Sequence, residues 1–198
     1  LSPDPPSAEP PDRVTYDPRD PTPTRGGGLC CYVPALPIGA FDQRMVEARD
    51  DVLCYTTPEL KEDVEVTGPI IVKLYAASSA SDTDFTAKLV DVRPDGYARN
   101  LTDGIIRARY RESTARQKLI ESEQIYEYTI DIWATSNIFK RGHKIRVEIS
   151  SSNFPRFDRN PNTGHPFGVN TELKTARQTI FHSADHPSHI VLPIVPKS

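Results

Sequence analysis

Apolar and polar side chains alternate along much of this chain with a period of two, the mark of strands buried on one face. Ile145, Val147 and Ile149 fall on one side of residues 144–149, with Lys144, Arg146 and Glu148 on the other. Across 124–133, Tyr126, Tyr128, Ile130 and Ile132 alternate with Glu127, Thr129 and Asp131, which puts Trp133 on the face opposite the tyrosines. Phe85, Ala87 and Leu89 alternate with Thr86, Lys88 and Val90. Residues 70–77 are nearly all apolar, as a central strand with both faces covered requires. Further strands are predicted over 13–16, 52–55, 64–69, 97–101, 105–111, 177–182 and 189–195. Arg93-Pro94-Asp95-Gly96 and Lys140-Arg141-Gly142-His143 supply turns. Residues 113–119 read as weakly helical, and no long amphipathic helix is present. Eight to ten strands with short turns predict an all-β fold: a jelly-roll, galactose-binding-domain-like β-sandwich of two antiparallel sheets.

Two irregular stretches interrupt the pattern. Residues 1–25 are Pro-rich and predict an extended arm or linker, followed over 26–198 by a single jelly-roll domain. The polar run 150–164 follows the strand at 144–149 and holds two prolines, two arginines, an aspartate and three asparagines. Asn, Asp and Ser close turns onto their own backbone, so this loop is expected to be ordered and to fix an edge or a contact surface. Gly26-Gly27-Gly28 lacks the Gly-x4-Gly-Lys-Ser/Thr spacing of a phosphate loop and predicts close backbone approach to a neighbour. The apolar segment 29–41 that follows is expected to cover a partner surface.

Composition narrows the function. With 24 basic and 27 acidic residues in 198 the formal charge is −3, which gives no reason to expect nucleic acid or an anionic membrane as partner. No run is long enough to span a bilayer. Cys30, Cys31 and Cys54 match neither a usual disulfide spacing nor a zinc site, and predict free thiols in a reducing, cytoplasmic setting. The opening at Leu1, Pro-rich and without a positive n-region, reads as a piece cut from a longer protein.

Catalytic chemistry finds little foothold. No Gly-x-Ser-x-Gly elbow occurs, and Ser150, Ser151 and Ser152 suit capping or bridging of backbone; five histidines leave a scattered triad open. His182, Asp185, His186 and His189 lie across a turn containing Pro187, where their rings need not converge on a metal, and read as solvated turn residues. Asp82, Asp84 and Asp91 lack the ligand set of a calcium loop, and Asp82 or Asp84 is expected to cap a turn. Arg107, Arg109 and Arg111 share one face of their predicted strand; solvent-facing charge is the plain reading and a salt-bridged docking face the sharper one. No catalytic residue, metal or cofactor is assigned.

Several motifs in order carry a family resemblance: Asp42-Gln43-Arg44, Val64 to Pro69, Asp82 to Val92, Pro94-Asp95-Gly96, Arg107 to Arg111, Ala134 to Asn137, and Ser150 to Gly164. From about Pro11 to Val195 the chain resembles the C-terminal, non-catalytic domain of X-Pro dipeptidyl-peptidase-like serine hydrolases, the CocE/NonD group that includes cocaine esterase, α-amino acid ester hydrolases and glutaryl acylases. The resemblance implies a jelly roll packed on an α/β-hydrolase domain of the same parent chain, with the Ser-Asp-His triad wholly upstream. It implies that the domain shapes the substrate cleft and stabilises the catalytic domain or a homo-oligomer. The cleft-approaching segment of relatives falls on Cys30, Cys31 and Tyr32, and Arg107, Arg109, Arg111, Arg156 and Asp158 are the candidates for docking. The alternative is a free-standing jelly-roll module binding carbohydrate or protein, although Trp133 facing away from Tyr126 and Tyr128 leaves no flat aromatic platform.

Overall fold

The computed structural model describes residues 1–28, 37–166, 168–169 and 171–196. Among these described residues ten strands and one short α-helix follow in chain order: β1 (Asp12–Tyr16), α1 (Arg44–Glu47), β2 (Leu53–Thr56), β3 (Val64–Ser78), β4 (Asp84–Val92), β5 (Ala98–Arg107), β6 (Tyr126–Phe139), β7 (Lys144–Ser150), β8 (Ala176–Ser183), β9 (His186–Pro187) and β10 (His189–Val191). One sheet runs β1-β8-β3-β6, with β10 also on β3 and β9 on β8; the other runs β2-β7-β4-β5. Every strand pairing is antiparallel. The orders 1-8-3-6 and 2-7-4-5 face to face are those of a two-sheet jelly roll.

The alternation seen in sequence builds the core. Phe85, Ala87 and Leu89 of β4 and Ile145, Val147 and Ile149 of β7 meet Val66, Ile70, Val72, Leu74, Tyr128, Ile130 and Ile132 from the facing sheet. The apolar run 70–77 is, as expected, the inner half of the central strand β3, which also takes in 64–69 without a break. Where β5 crosses β6 the sandwich closes. Gly104 lies so near the Asp131 carbonyl that any Cβ would overlap it, and the Thr102 hydroxyl donates to the Ile132 carbonyl.

Four expectations shift. The strand predicted over 105–111 stops at Arg107, and 108–110 form a 3-10 turn. Residues 113–119 are not helical. The predicted strand 189–195 keeps only three residues, with one further bridge from Ile194 to Val66. α1 itself was not predicted: four residues show no helical period. Within the Pro-rich 1–25 the strand predicted over 13–16 forms: β1 pairs with β8 from Asp12 to Tyr16.

Candidate functional site

Two enclosures of charge flank the apolar core, and the polar loop 150–164 helps to build both. The first lies at the sandwich edge where β4 begins and β5 ends. Asp84 accepts a two-pronged pair of bonds from the Arg107 guanidinium at 2.8 Å each. Asp82 accepts from the Arg109 backbone N–H at 2.9 Å and from its Nε at 2.8 Å. The Asn160 amide, fully buried, donates to both carboxylates at 2.9 and 2.8 Å. Burial pushes the Asp84 carboxyl up, and the Arg107 and Asn160 donors pull it back. Tyr16 closes the cluster by donating to the Asn160 carbonyl, and burial raises its phenol. The aspartates therefore do more than cap a turn, and their oxygens accept from guanidinium, amide and backbone donors.

This geometry corrects the solvent-facing reading of the three arginines. Arg109 is 3% exposed, and Arg107 is largely covered. Arg111 stacks on the Tyr126 ring at 4.3 Å and donates to the Ala108 and Lys118 carbonyls. The acidic partners Asp158, which meets Arg107 at 3.2 Å, and Glu112, which meets Arg111 at 3.3 Å, stand out into solvent. Ser150 and Ser152 bridge backbone as expected: the Ser150 hydroxyl donates to the Ser152 carbonyl at 3.0 Å, and the Thr22 N–H donates to the Ser152 hydroxyl at 2.7 Å.

The second enclosure covers the outer face of the four-stranded sheet. Register places Cys54, Glu148, Lys88 and Asp103 side by side across β2, β7, β4 and β5. Such a row faces water in a simple sandwich, yet Glu148, Lys88 and Asp103 are each at most 3% exposed. Lys88 Nζ lies 3.3 Å from a Glu148 oxygen and donates to the Gln43 side-chain carbonyl at 3.3 Å. Asp103 pairs with the Arg156 guanidinium and accepts from the Asn153 amide at 2.7 Å. Arg146, two residues from Glu148 on the same face, reaches Glu47 of α1 at 2.6 Å. Beyond that Lys88 ion pair neither Glu148 oxygen has a well-directed hydrogen bond among the described residues, nor does Oε1 of Glu47. Cys54 is the exposed end of this row; its neighbouring protein first, and then these carboxylates, push the thiol up, away from a reactive thiolate.

The cover over this row is tied down from both limbs. Gly27 and Gly39 exchange backbone bonds at 2.7 and 3.0 Å. The Gln43 amide donates to the Arg25 and Phe41 carbonyls. Gly27, at φ +101°, packs on the Arg156 guanidinium, where a Cβ would come within 3.0 Å of Nη1. The glycine run therefore serves close approach, as predicted. Ile38, Met45 and Phe154 stand exposed on this cover, Met45 at 75%. Cys30, Cys31 and Tyr32 lie outside the described residues.

The histidines diverge. His182 sets Nε2 2.9 Å from Asp12 and Nδ1 3.3 Å from Glu9, while His186 packs on the Tyr75 and Phe181 rings. They are held rather than simply solvated, and the described residues hold no group of three or more His, Cys, Asp or Glu placed for a metal. Tyr128 is buried, and Trp133 is 68% exposed at a bulge, so the two share no platform. Sequence reasoning missed Lys88, Asp103, Glu47 and Gln43 as a set. Alternation puts Lys88 and Glu148 on outward faces, but only register makes them neighbours. Among the described residues no helix is long and apolar enough to cross a membrane.

Comparison with known proteins places this arrangement. The family model described as the X-Pro dipeptidyl-peptidase C-terminal non-catalytic domain matches residues 1–191. The chain is 53% identical over 186 residues to a cocaine esterase from Rhodococcus sp. (strain MB1 Bresler), covering 93% of this chain and 32% of that protein. An aminopeptidase from a marine sediment Thaumarchaeota archaeon superposes with TM-score 0.89 at 34% identity, over 98% of this chain and 34% of the other. An α-amino acid ester hydrolase superposes with TM-score 0.89 at 32% identity, over 97% and 34% respectively. The chain thus spans about a third of the length of these relatives.

Proposed function

The chain belongs to the X-Pro dipeptidyl-peptidase C-terminal non-catalytic domain family, the C-terminal domain of CocE/NonD-type hydrolases, and on that premise we propose that it is the accessory domain of a serine hydrolase. The α/β-hydrolase domain would lie elsewhere in the same parent chain, and acyl transfer would run on its serine. The jelly roll shapes the substrate cleft and stabilises the catalytic domain. By the family resemblance, Cys30, Cys31 and Tyr32, which follow the glycine run in sequence, are the proposed cleft-lining residues.

The observation that carries this reading is the tied-down cover of the four-stranded sheet. A charged sheet face is buried beneath a layer that exposes Ile38, Met45 and Phe154 outward, which suits contact with a further protein surface in an assembly three times this size. Arg156 supports the cover from below. Arg107 and Arg109 act by holding the loop that presents Asp158, and Arg111 by fixing the turn that follows β5.

The test uses the parent chain with residues 29–36 replaced by a Gly-Ser linker. Expected is a change of several-fold in KM for p-nitrophenyl esters of different acyl size, with thermal stability nearly unchanged. Unchanged KM across the series, or ester hydrolysis by the isolated 198-residue chain, would overturn the reading.

A further inference from the structure

The bulge in β6 holds Trp133 in a backbone conformation that its side chain does nothing to explain. Its φ is +67°, in the left-handed region that L-residues rarely adopt. Three supports fix the bulge there. The Trp133 backbone N–H donates to the Asp131 carboxylate at 2.8 Å. The Thr102 hydroxyl donates to the Ile132 carbonyl, and Gly104 lies against the Asp131 carbonyl and the Ile132 Cα. Yet the indole is 68% exposed and takes no part in the apolar core. Strain held this firmly around a side chain that the core does not use points to a role outside the fold.

The place of the bulge shows what it adjoins. Thr102 and Gly104, which grip it from β5, flank Asp103, and Asp103 pairs with Arg156 and accepts from the Asn153 amide. Gly27 packs on the same two groups: a Cβ there would lie 3.4 Å from Asp103 Oδ2 and 3.0 Å from Arg156 Nη1. Arg156 in turn stands two residues from Phe154, one of the apolar side chains that the cover turns outward. The bulge therefore borders the cover that exposes Ile38, Met45 and Phe154. Ala134, next to Trp133, pairs with Pro69, and both are apolar and exposed. The Asp131 carboxylate is turned back onto the bulge. A lone exposed aromatic is ordinary, but one held in strain at the border of an apolar surface has the character of an interface anchor.

We infer that Trp133 anchors the docking surface, its indole seated in an apolar pocket of the catalytic domain of the parent chain. The inference rests on the accessory-domain reading above and adds to it a residue that the cover does not contain. Two observations name the occupant. The bulge is continuous, through Asp103 and Arg156, with the surface proposed to meet that domain. The relatives that superpose on this chain carry about two-thirds of their length beyond it, which is the protein available to receive the indole. The bulge sets the direction of the side chain before contact, so less freedom is lost on docking.

The test is hydroxyl-radical footprinting of the natural full-length chain, read by mass spectrometry on Trp133 and Met45, whose side chains both react readily with this probe. Each rate is referred to the same residue in the urea-unfolded chain. A free indole at 68% exposure keeps most of its reactivity, whereas one desolvated in a pocket is expected to label roughly tenfold more slowly. In W133G the Met45 rate is expected to rise several-fold as the surface loosens, and in W133F to stay nearer that of the wild type. Should W133G not fold, W133N tolerates the left-handed backbone and gives the same reading. Met45 protected while Trp133 labels freely overturns the anchor and leaves the accessory-domain reading standing. Both labelling freely overturns the two together. Trp133 protection that is lost on dilution assigns the indole to a second copy of the chain, and overturns the inference. So does Met45 protection unchanged in W133G, which gives the indole no part in holding the surface.

Discussion

The two buried charge clusters differ in how their carboxylates are satisfied. At the sandwich edge every oxygen of Asp82 and Asp84 has a donor, from Arg107, Arg109 or Asn160. Under α1 Glu148 has the Lys88 ion pair without a well-directed hydrogen bond, and Oε1 of Glu47 has no directed donor among the described residues. Both sites pair acids with bases at the rim of one core, so composition does not separate them. The donors do: a planar guanidinium fork and a buried amide fit the aspartates, while Lys88 offers Glu148 only a point charge. The first cluster fixes the polar loop in one arrangement. The second is a site whose energy depends on a proton, and it lies under the cover proposed to meet the catalytic domain.

Breaking the satisfied cluster gives the largest effect. Asp84→Ala removes the two-pronged acceptor of a largely buried Arg107 and one of the two acceptors of the Asn160 amide. Loss of one partner of a buried pair costs roughly 3–5 kcal/mol, read as a fall in the denaturant midpoint with unchanged slope. A loss below about 1 kcal/mol means that Asp158 takes over Arg107, and that this cluster is as adaptable as the other.

The orphaned pair gives a smaller effect with a distinctive pH signature. The Glu148 carboxyl stands above its ordinary value of 4.5 in the fold, at about 7, because of burial. An acid raised in the folded state binds its proton more tightly there than in the unfolded chain. Its stabilising proton is present in full below about 4.5 and is lost as pH rises to 7. Asp42 and Glu127 are held low by their Arg44 and Lys73 partners and act in the opposite sense, losing their contribution only as pH falls below their ordinary range. Wild-type stability should therefore decline between pH 5 and 8 relative to E148Q, the difference reaching roughly 1–3 kcal/mol, as chemical denaturation at each pH would show. Parallel curves would place a donor on Glu148 and erase the contrast between the clusters.

The contrast also marks what the sequence could reveal. Alternation in β4, β6 and β7 is strong because one side of each strand meets the core, and it located the core and the jelly roll. The motifs carrying the family resemblance stand within β3, β4 and β6 as well as at turns and in the polar loop. What stayed hidden depends on pairing across the sheet. Lys88 and Glu148 are 60 positions apart and read as solvent-facing, and nothing local says that residues 37–52 fold over them. Arg107 to Arg111 read as one basic face because the 3-10 turn after Arg107, which swings Arg109 inward, has no period of its own.

Trp133 sharpens the comparison from outside both clusters and carries the smallest expected effect. It is the extra residue of the β6 bulge facing Ile70, at φ +67°, with its backbone N–H donated to the Asp131 carboxylate at 2.8 Å. Left-handed backbone costs an L-residue about 1–2 kcal/mol, and glycine takes it freely. With 68% of Trp133 exposed, little burial is lost on substitution, while the greater freedom of unfolded glycine returns part of the gain. W133G is therefore expected to be neutral to about 1 kcal/mol more stable in a thermal melt, without pH dependence between 5 and 8. A destabilised W133G would mean that the indole covers apolar surface that its exposure does not suggest. The expected neutral result leaves strain that the fold itself does not need, unlike the aspartate cluster, where every donor contributes to the fold.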